Sequence, residues 1–199
     1  MIKLTLANAA SIKFACLNYH YAKRVPIVAI AFNVYEDDEY CGVICYGHGA
    51  TPNIASSLNR FAGQVIELVR VALNGKQKTT SECLAASIRE IKKRCPMVDF
   101  IVSYADSDQD HKGIIYQATN WIYLGLMNEG SLGEFIVHGK SYHPKSIHAK
   151  GWKQSLDWLQ KNIDPKASKK LTKGKQKYVM PMNKKSRKEI QHLHLPYPK

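Results

Sequence analysis

No apolar run in this 199-residue chain is long enough to span a bilayer. The opening Met1-Ile2-Lys3-Leu4-Thr5-Leu6 lacks the layout of a secretion signal. A membrane or exported protein is therefore not expected. There is no Cys-x-x-Cys pair: Cys16, Cys41, Cys45, Cys83 and Cys95 are odd in number and widely spread. That argues against a disulfide framework and for free thiols in a reducing cytoplasm. Internal repeats are absent. Acid is scarce only at the C-terminal end, where residues 166–199 carry 11 basic and one acidic side chain. Residues 1–165 carry 18 and 15, so most of the net charge of +13 lies in the last segment.

What is present points to a folded protein. A hydrophobic fraction of 45% with 11 tyrosines is enough for one buried core. A balanced body with a basic end favours a polyanionic partner. Tyr178, Tyr197 and the prolines among those lysines favour nucleic acid over a merely solubilising tail. Two segments are expected: a catalytic domain over 1–165 and a basic extension over 166–199. In the extension, Lys169, Lys170, Lys173, Lys175, Lys177, Lys184, Lys185 and Arg187 are candidate phosphate contacts. Lys145, Lys150 and Lys153, near Tyr142 and Trp152, form a second basic and aromatic stretch. It suits single-stranded or flipped-base DNA, and equally a solvated face.

Hydropathy patterning gives strands over 2–6, 27–35, 40–46, 64–73, 98–103 and 134–138. Glu36-Asp37-Asp38-Glu39 turns the second into the third as a hairpin. Helices are expected over 9–22, 81–94 and 115–126, with a short one near 152–163. Thr79-x-x-Glu82 reads as a capping box before the second helix. This order fits a mixed α/β fold, a central mixed sheet with helices on both faces.

The most informative run is Ser103-Tyr-Ala-Asp-Ser-Asp-Gln-Asp-His-Lys-Gly-Ile-Ile-Tyr-Gln-Ala-Thr-Asn-Trp121. It places three carboxylates, an imidazole and two phenols where a strand ends and a helix begins, the usual position for chemistry in open α/β sheets. This run resembles the signature of the phage Mom family of DNA adenine modification proteins. Further matches are His20-Tyr21, Phe32-Asn33-Val34-Tyr35, Tyr178-Val179-Met180-Pro181-Met182 and the closing Leu195-Pro196-Tyr197-Pro198-Lys199. Asp110 departs from the pattern, where glycine is expected before the histidine.

The resemblance implies a GNAT-like acyltransferase fold acting in the host bacterial cytoplasm. It implies transfer of a methylcarbamoyl-type group to adenine N6 in double-stranded phage DNA, which would shield that DNA from restriction. It also implies acetyl-coenzyme A as donor. An ordinary acyl-coenzyme A N-acyltransferase on protein or small amines, and a non-catalytic DNA-binding protein, stand as alternatives. His20, Tyr21, Ser103, Tyr104, Asp106 and Tyr116 are the expected catalytic residues. His20 and Asp106 could hold a metal, iron being compatible with such a donor set. The donor's pyrophosphate is expected at the start of the second helix, with Arg70, Lys76, Lys78, Thr79, Thr80 and Ser81. An Arg/Gln-x-x-Gly-x-Gly/Ala loop is missing there, and Glu82 in the first turn opposes an anion. Arg70, inside an apolar strand, needs an anionic partner. Strict alternation puts Glu67, three residues earlier, on the opposite face.

Overall fold

The β2–β3 hairpin shows how local sequence sets the architecture. Asp37 and Asp38 adopt left-handed φ values of 50° and 66°, the two-residue turn whose twist matches that of paired strands. The computed structural model describes residues 1–49 and 52–199, without the side chains of Pro52, Leu132 and Lys145. Ala50 and Thr51, expected in a loop, lie outside the described residues.

The elements run β1 (Ile2–Leu6), α1 (Ala9–Asn18), β2 (Ile30–Glu36), β3 (Glu39–Gly47), β4 (Val65–Leu73), α2 (Thr80–Arg94), β5 (Phe100–Asp106), α3 (Ile114–Ala118) and β6 (Ile122–Met127). They continue as β7 (Leu132–Val137), β8 (Lys140–Tyr142), α4 (Pro144–Ala149), α5 (Leu156–Asn162), β9 (Ser168–Leu171), β10 (Lys175–Pro181) and α6 (Lys184–Ile190). A seven-stranded sheet has the order β1-β2-β3-β4-β5-β10-β6, and a three-stranded sheet the order β8-β7-β9. The larger sheet is mixed: β1 to β4 pair antiparallel, β4 and β5 parallel. Helices cover both faces. α1 packs on Ala31, Val43, Cys45 and Ala72, while Tyr46, next to Cys45, turns the other way to reach Ser87 of α2.

α2 forms where expected. The Thr79 hydroxyl accepts the Glu82 N–H at 3.3 Å, Leu84 and Ile91 are buried, and Lys92, Lys93 and Arg94 sit in the last turn, where the helix dipole favours cations. The helix expected over 115–126 is corrected. α3 ends at Ala118, Asn120 has a left-handed φ of 62°, and β6 follows at once. Ile122-Tyr123-Leu124 carries β-branched and aromatic residues, and strand propensity wins over helical spacing.

The chain divides into two compact units. One comprises Met1–Tyr104, Gly113–Gly125 and Lys177–Lys199; the other comprises Ala105–Lys112 and Leu126–Gln176. The basic segment after residue 165 is shared between them. β9 joins the small sheet and β10 the large one, with Tyr178 and Val179 fully buried. The second unit has its own core of Phe135, Val137, Ile147, Leu159 and Ala167.

Candidate active site

β4 and β5 pair only over Val65↔Phe100, Ile66↔Ile101 and Glu67↔Val102. β4 continues to Leu73 and β5 to Asp106, so both strands run on unpaired with each other beyond that point. A bulge in β4 falls at the same place: Tyr46 faces Leu68 and Cys45 faces Arg70, leaving Val69 over. Gly47 faces Glu67. Cys45 and Gly47 are two residues apart and share a face, so their partners Arg70 and Glu67 share it as well. The bulge thus overturns the opposite-face expectation for Glu67.

Arg70 reaches the turn after α1. Its Nη1 lies 3.0 Å from His20 Nδ1 and 3.2 Å from Nε2. The Ala22 N–H also donates to Nδ1 at 3.1 Å, so the neutral ring carries its proton on Nε2. The Tyr21 ring lies 4.2 Å from the His20 ring. Arg70 Nε is buried with no partner among the described residues.

Ser103 bridges the opened strands. Its Oγ lies 3.0 Å from the Leu68 carbonyl and 2.9 Å from the Tyr116 hydroxyl. The Leu68 carbonyl and the Tyr116 oxygen both stand as acceptors of the single Ser103 hydroxyl proton, which leaves the Tyr116 proton uncommitted to Ser103. Burial pushes the Tyr116 phenol up to about 12; the Ser103 bond opposes this, and charge at Tyr21, Tyr178 and Glu67 adds to it. Tyr104 is also raised, by burial and then by Glu67. Tyr116 therefore keeps its proton at neutral pH. Rings of Trp121 and Tyr178 lie 5.0 Å from Tyr116 and fix its plane.

Five of the six expected catalytic residues, His20, Tyr21, Ser103, Tyr104 and Tyr116, fall in the first unit. Asp106 falls in the second, where its carboxylate accepts the Asp108 N–H at 3.1 Å and caps a single turn. Asp110 has a left-handed φ of 54°, the conformation for which glycine is suited. The iron reading is not supported: among the described residues no three His, Cys, Asp or Glu side chains come together as a ligand set. A guanidinium against His20 also opposes a second cation there. Glu67 is the residue that the sequence reading turned away from the site, because no pattern announces a bulge.

At the expected pyrophosphate position, Lys76 pairs with Glu39, and the Lys78 N–H donates to Glu36 at 2.7 Å. Thr79 caps α2, and Thr80 accepts from Gln77 at 3.1 Å. Ser81 lines an open cleft of about 430 Å³ with Glu82, Ala85, Ile88, Ala118, Thr119, Asn120 and Met180. The expected DNA contacts are dispersed. Lys169, Lys170, Lys173 and Lys175 belong to the second unit, and Lys177, Lys184, Lys185 and Arg187 to the first. Lys173 pairs with Asp110 at 3.0 Å, and Arg187 donates to the Asn120 carbonyl at 2.8 Å. Lys177 is half-buried, which lowers its pKa. Lys184 and Lys185 are exposed. Lys150 and Lys153 are exposed in the second unit, and the Lys145 side chain lies outside the described residues. No helix among the described residues is long and apolar enough to cross a membrane.

Known proteins of this build share both fold and sequence features. A Bacillus subtilis acetyltransferase solved in complex with CoA superposes with a TM-score of 0.50 at 10% identity, covering 91% of this chain and 99% of its own. A spermidine/spermine N-acetyltransferase of Vibrio cholerae gives 0.51 at 7% identity, over 92% and 95%. These likenesses establish the acetyltransferase (GNAT) fold. In sequence, the methylcarbamoylase Mom of Escherichia phage Mu is 26% identical over 193 residues, covering 90% of this chain and 76% of that protein. The Mom protein family model matches residues 3–199. The chain belongs to the Mom protein family.

Proposed function

We propose that this chain is a transferase that adds a methylcarbamoyl-type group to adenine N6 in DNA, protecting phage DNA from restriction. The observation that carries the reading is the Tyr116–Ser103–Leu68 hydrogen-bond chain at the opened β4–β5 edge, within a Mom family match over residues 3–199. It holds a protonated phenol beside strand backbone that has lost its neighbour. The phage Mu relative is named a methylcarbamoylase, and one structural neighbour was solved with CoA.

The residues fit an acyl-coenzyme A donor in part. β4 beyond Glu67 leaves an unpaired strand edge toward β5 for the amides of the donor's arm, and Arg70 keeps a buried Nε–H without a partner among the described residues. Lys76 is already paired with Glu39, which leaves the N-terminus of α2 with Lys78 for a pyrophosphate. Bound there, the donor would supply an activated acyl carbon. A methylcarbamoyl group contains a nitrogen that an acetyl group lacks, so a nitrogen source is also required. Adenine N6 is a weak nucleophile, because its lone pair is delocalised into the ring. Glu67 is the candidate base, since the one lone pair of neutral His20 is already taken at Nδ1 by the Ala22 N–H, and Tyr116 is the candidate acid for the leaving group. N6 of a paired adenine is engaged in the duplex, so the base is expected to be flipped or transiently open.

Mass spectrometry of nucleosides from plasmid DNA in cells making the protein tests this. A new adenine nucleoside carrying the added group supports the reading. Unmodified DNA alongside acylated protein or polyamine would favour an ordinary N-acyltransferase.

A further inference from the structure

The excursion between β6 and β10 builds a compact unit with its own core, and no residue of the His20–Arg70–Tyr116 cluster belongs to it. Residues 126–176 carry ten lysines against four carboxylates. The positive charge is not all spent internally. Lys170 lies near Glu134 at 3.9 Å and Lys173 pairs with Asp110, but the run 148–156 holds His148, Lys150 and Lys153 and no acid.

That run forms a cleft of about 500 Å³, lined by His148, Gly151, Trp152, Lys153 and Gln154. Lys150 stands beside it, its ammonium 5.4 Å from the Tyr142 ring and 5.4 Å from the Trp152 ring. The two rings meet edge to face at 5.9 Å, which fixes their planes. Trp152 packs partly on the Phe135–Leu159 core, which anchors the platform. The backbone at Gly151 is open, with nothing within 4 Å of where a Cβ would stand. Exposed cations beside a partly exposed indole are the combination that holds a nucleic-acid strand: the cations meet phosphate and the ring meets a base. An acidic peptide would use the charge and leave the ring without a role.

We propose that this cleft binds a strand of the DNA substrate, with phosphates at Lys150 and Lys153 and a base against Trp152. A phosphate that draws Lys150 off the two rings uncovers the faces on which the base stacks. The proposal rests on the reading of DNA as substrate, and locates its grip in the inserted unit rather than in α6.

Fluorescence anisotropy of a labelled duplex and a labelled single strand, titrated with the full chain between about 50 and 200 mM salt, tests it. Wild type should bind with affinity that falls steeply with salt. Lys150→Ala/Lys153→Ala should lower duplex affinity about tenfold or more, and flatten the log–log salt slope by about two, one unit per lost phosphate contact. Trp152→Ala should lower affinity roughly 5- to 100-fold with the slope unchanged, because stacking releases no counterions. Melting curves confirm folding, with Lys150→Gln/Lys153→Gln in reserve. Wild-type affinity and slope in all of these variants would overturn the proposal and leave the substrate reading intact. Loss that follows Lys184→Ala/Lys185→Ala instead would overturn it in favour of α6. A wild type that binds anionic lipid vesicles but no DNA would overturn both.

Discussion

Replacing Gly113 by alanine should damage the fold and the site together. Gly113 has a φ of +74°, and a Cβ there would lie 2.4 Å and 2.7 Å from Tyr178 ring atoms and 2.9 Å from the Tyr116 ring. Two costs add. Left-handed backbone with a Cβ costs about 1–2 kcal/mol. Forcing a methyl into packed rings costs about 1–3 kcal/mol, since Tyr178 is fully buried and cannot swing away. The sum is about 2–5 kcal/mol. Gly75 supplies the control: its φ is +83° and nothing lies within 4 Å, so Gly75→Ala carries only the backbone cost of about 1–2 kcal/mol. The lower unfolded-state entropy of alanine is common to both variants and cancels. For a chain of this length each kcal/mol moves the melting temperature by about 2–4 °C. Gly113→Ala should therefore melt roughly 2–12 °C below Gly75→Ala, a gap set by the ring contacts alone. Urea titration with matched m-values checks the same difference. Equal stabilities, within about 0.5 kcal/mol, would refute the close packing of Tyr178 and Tyr116 around this glycine.

Tyr116→Phe keeps the ring and leaves Ser103 donating to Leu68, so it should cost only about 1 kcal/mol of stability while lowering modification by about 10²- to 10⁴-fold; equal activity would remove Tyr116 from the chemistry. Ser103→Ala strips the Leu68 carbonyl and the Tyr116 hydroxyl of their partner. It should destabilise by about 1–3 kcal/mol and move the Tyr116 titration further up, as read by ultraviolet difference spectra. Asp99 contributes to acid stability: burial raises its pKa, but bonds from Arg60, Asn183 and Ser186 together outweigh this and hold it below the usual value. A carboxylate with a depressed folded pKa contributes stability above its unfolded pKa of about 3.9, lost as pH falls through the lower folded value. Stability should therefore drop below about pH 4 in wild type, and Asp99→Asn should be weaker at neutral pH with a flatter acid limb.

Much of the fold was legible because local chemistry decided it. The Glu36–Glu39 turn, the Thr79 cap and the β-branched β4 and β5 each specify their own conformation. Three features were not. Ile115, Ala118, Ile122 and Leu126 keep helical spacing across a real boundary, and only the left-handed Asn120 marks the change to strand. Tyr178 and Val179 are core residues of a central strand, hidden in a segment whose lysines dominate its composition. The bulge at Val69 brings Glu67 and Arg70 to one face, and a bulge has no compositional sign when the extra residue is an ordinary valine. The motif singles out His20, Tyr21, Ser103, Tyr104 and Tyr116 as candidates, whereas the Ser103–Leu68 bond beside Tyr116 depends on strands that separate only in three dimensions.

The central claim is that this chain moves an acyl-derived group onto adenine in DNA through a site ordered by Tyr116. Nucleoside mass spectrometry of DNA from cells fed isotopically labelled acetate, making either wild type or Tyr116→Phe at equal levels, tests it most directly. The account predicts a labelled, heavier adenine nucleoside with wild type and little or none with the variant. Unmodified adenine in DNA from cells holding folded wild-type protein, or equal modification by both proteins, would contradict it.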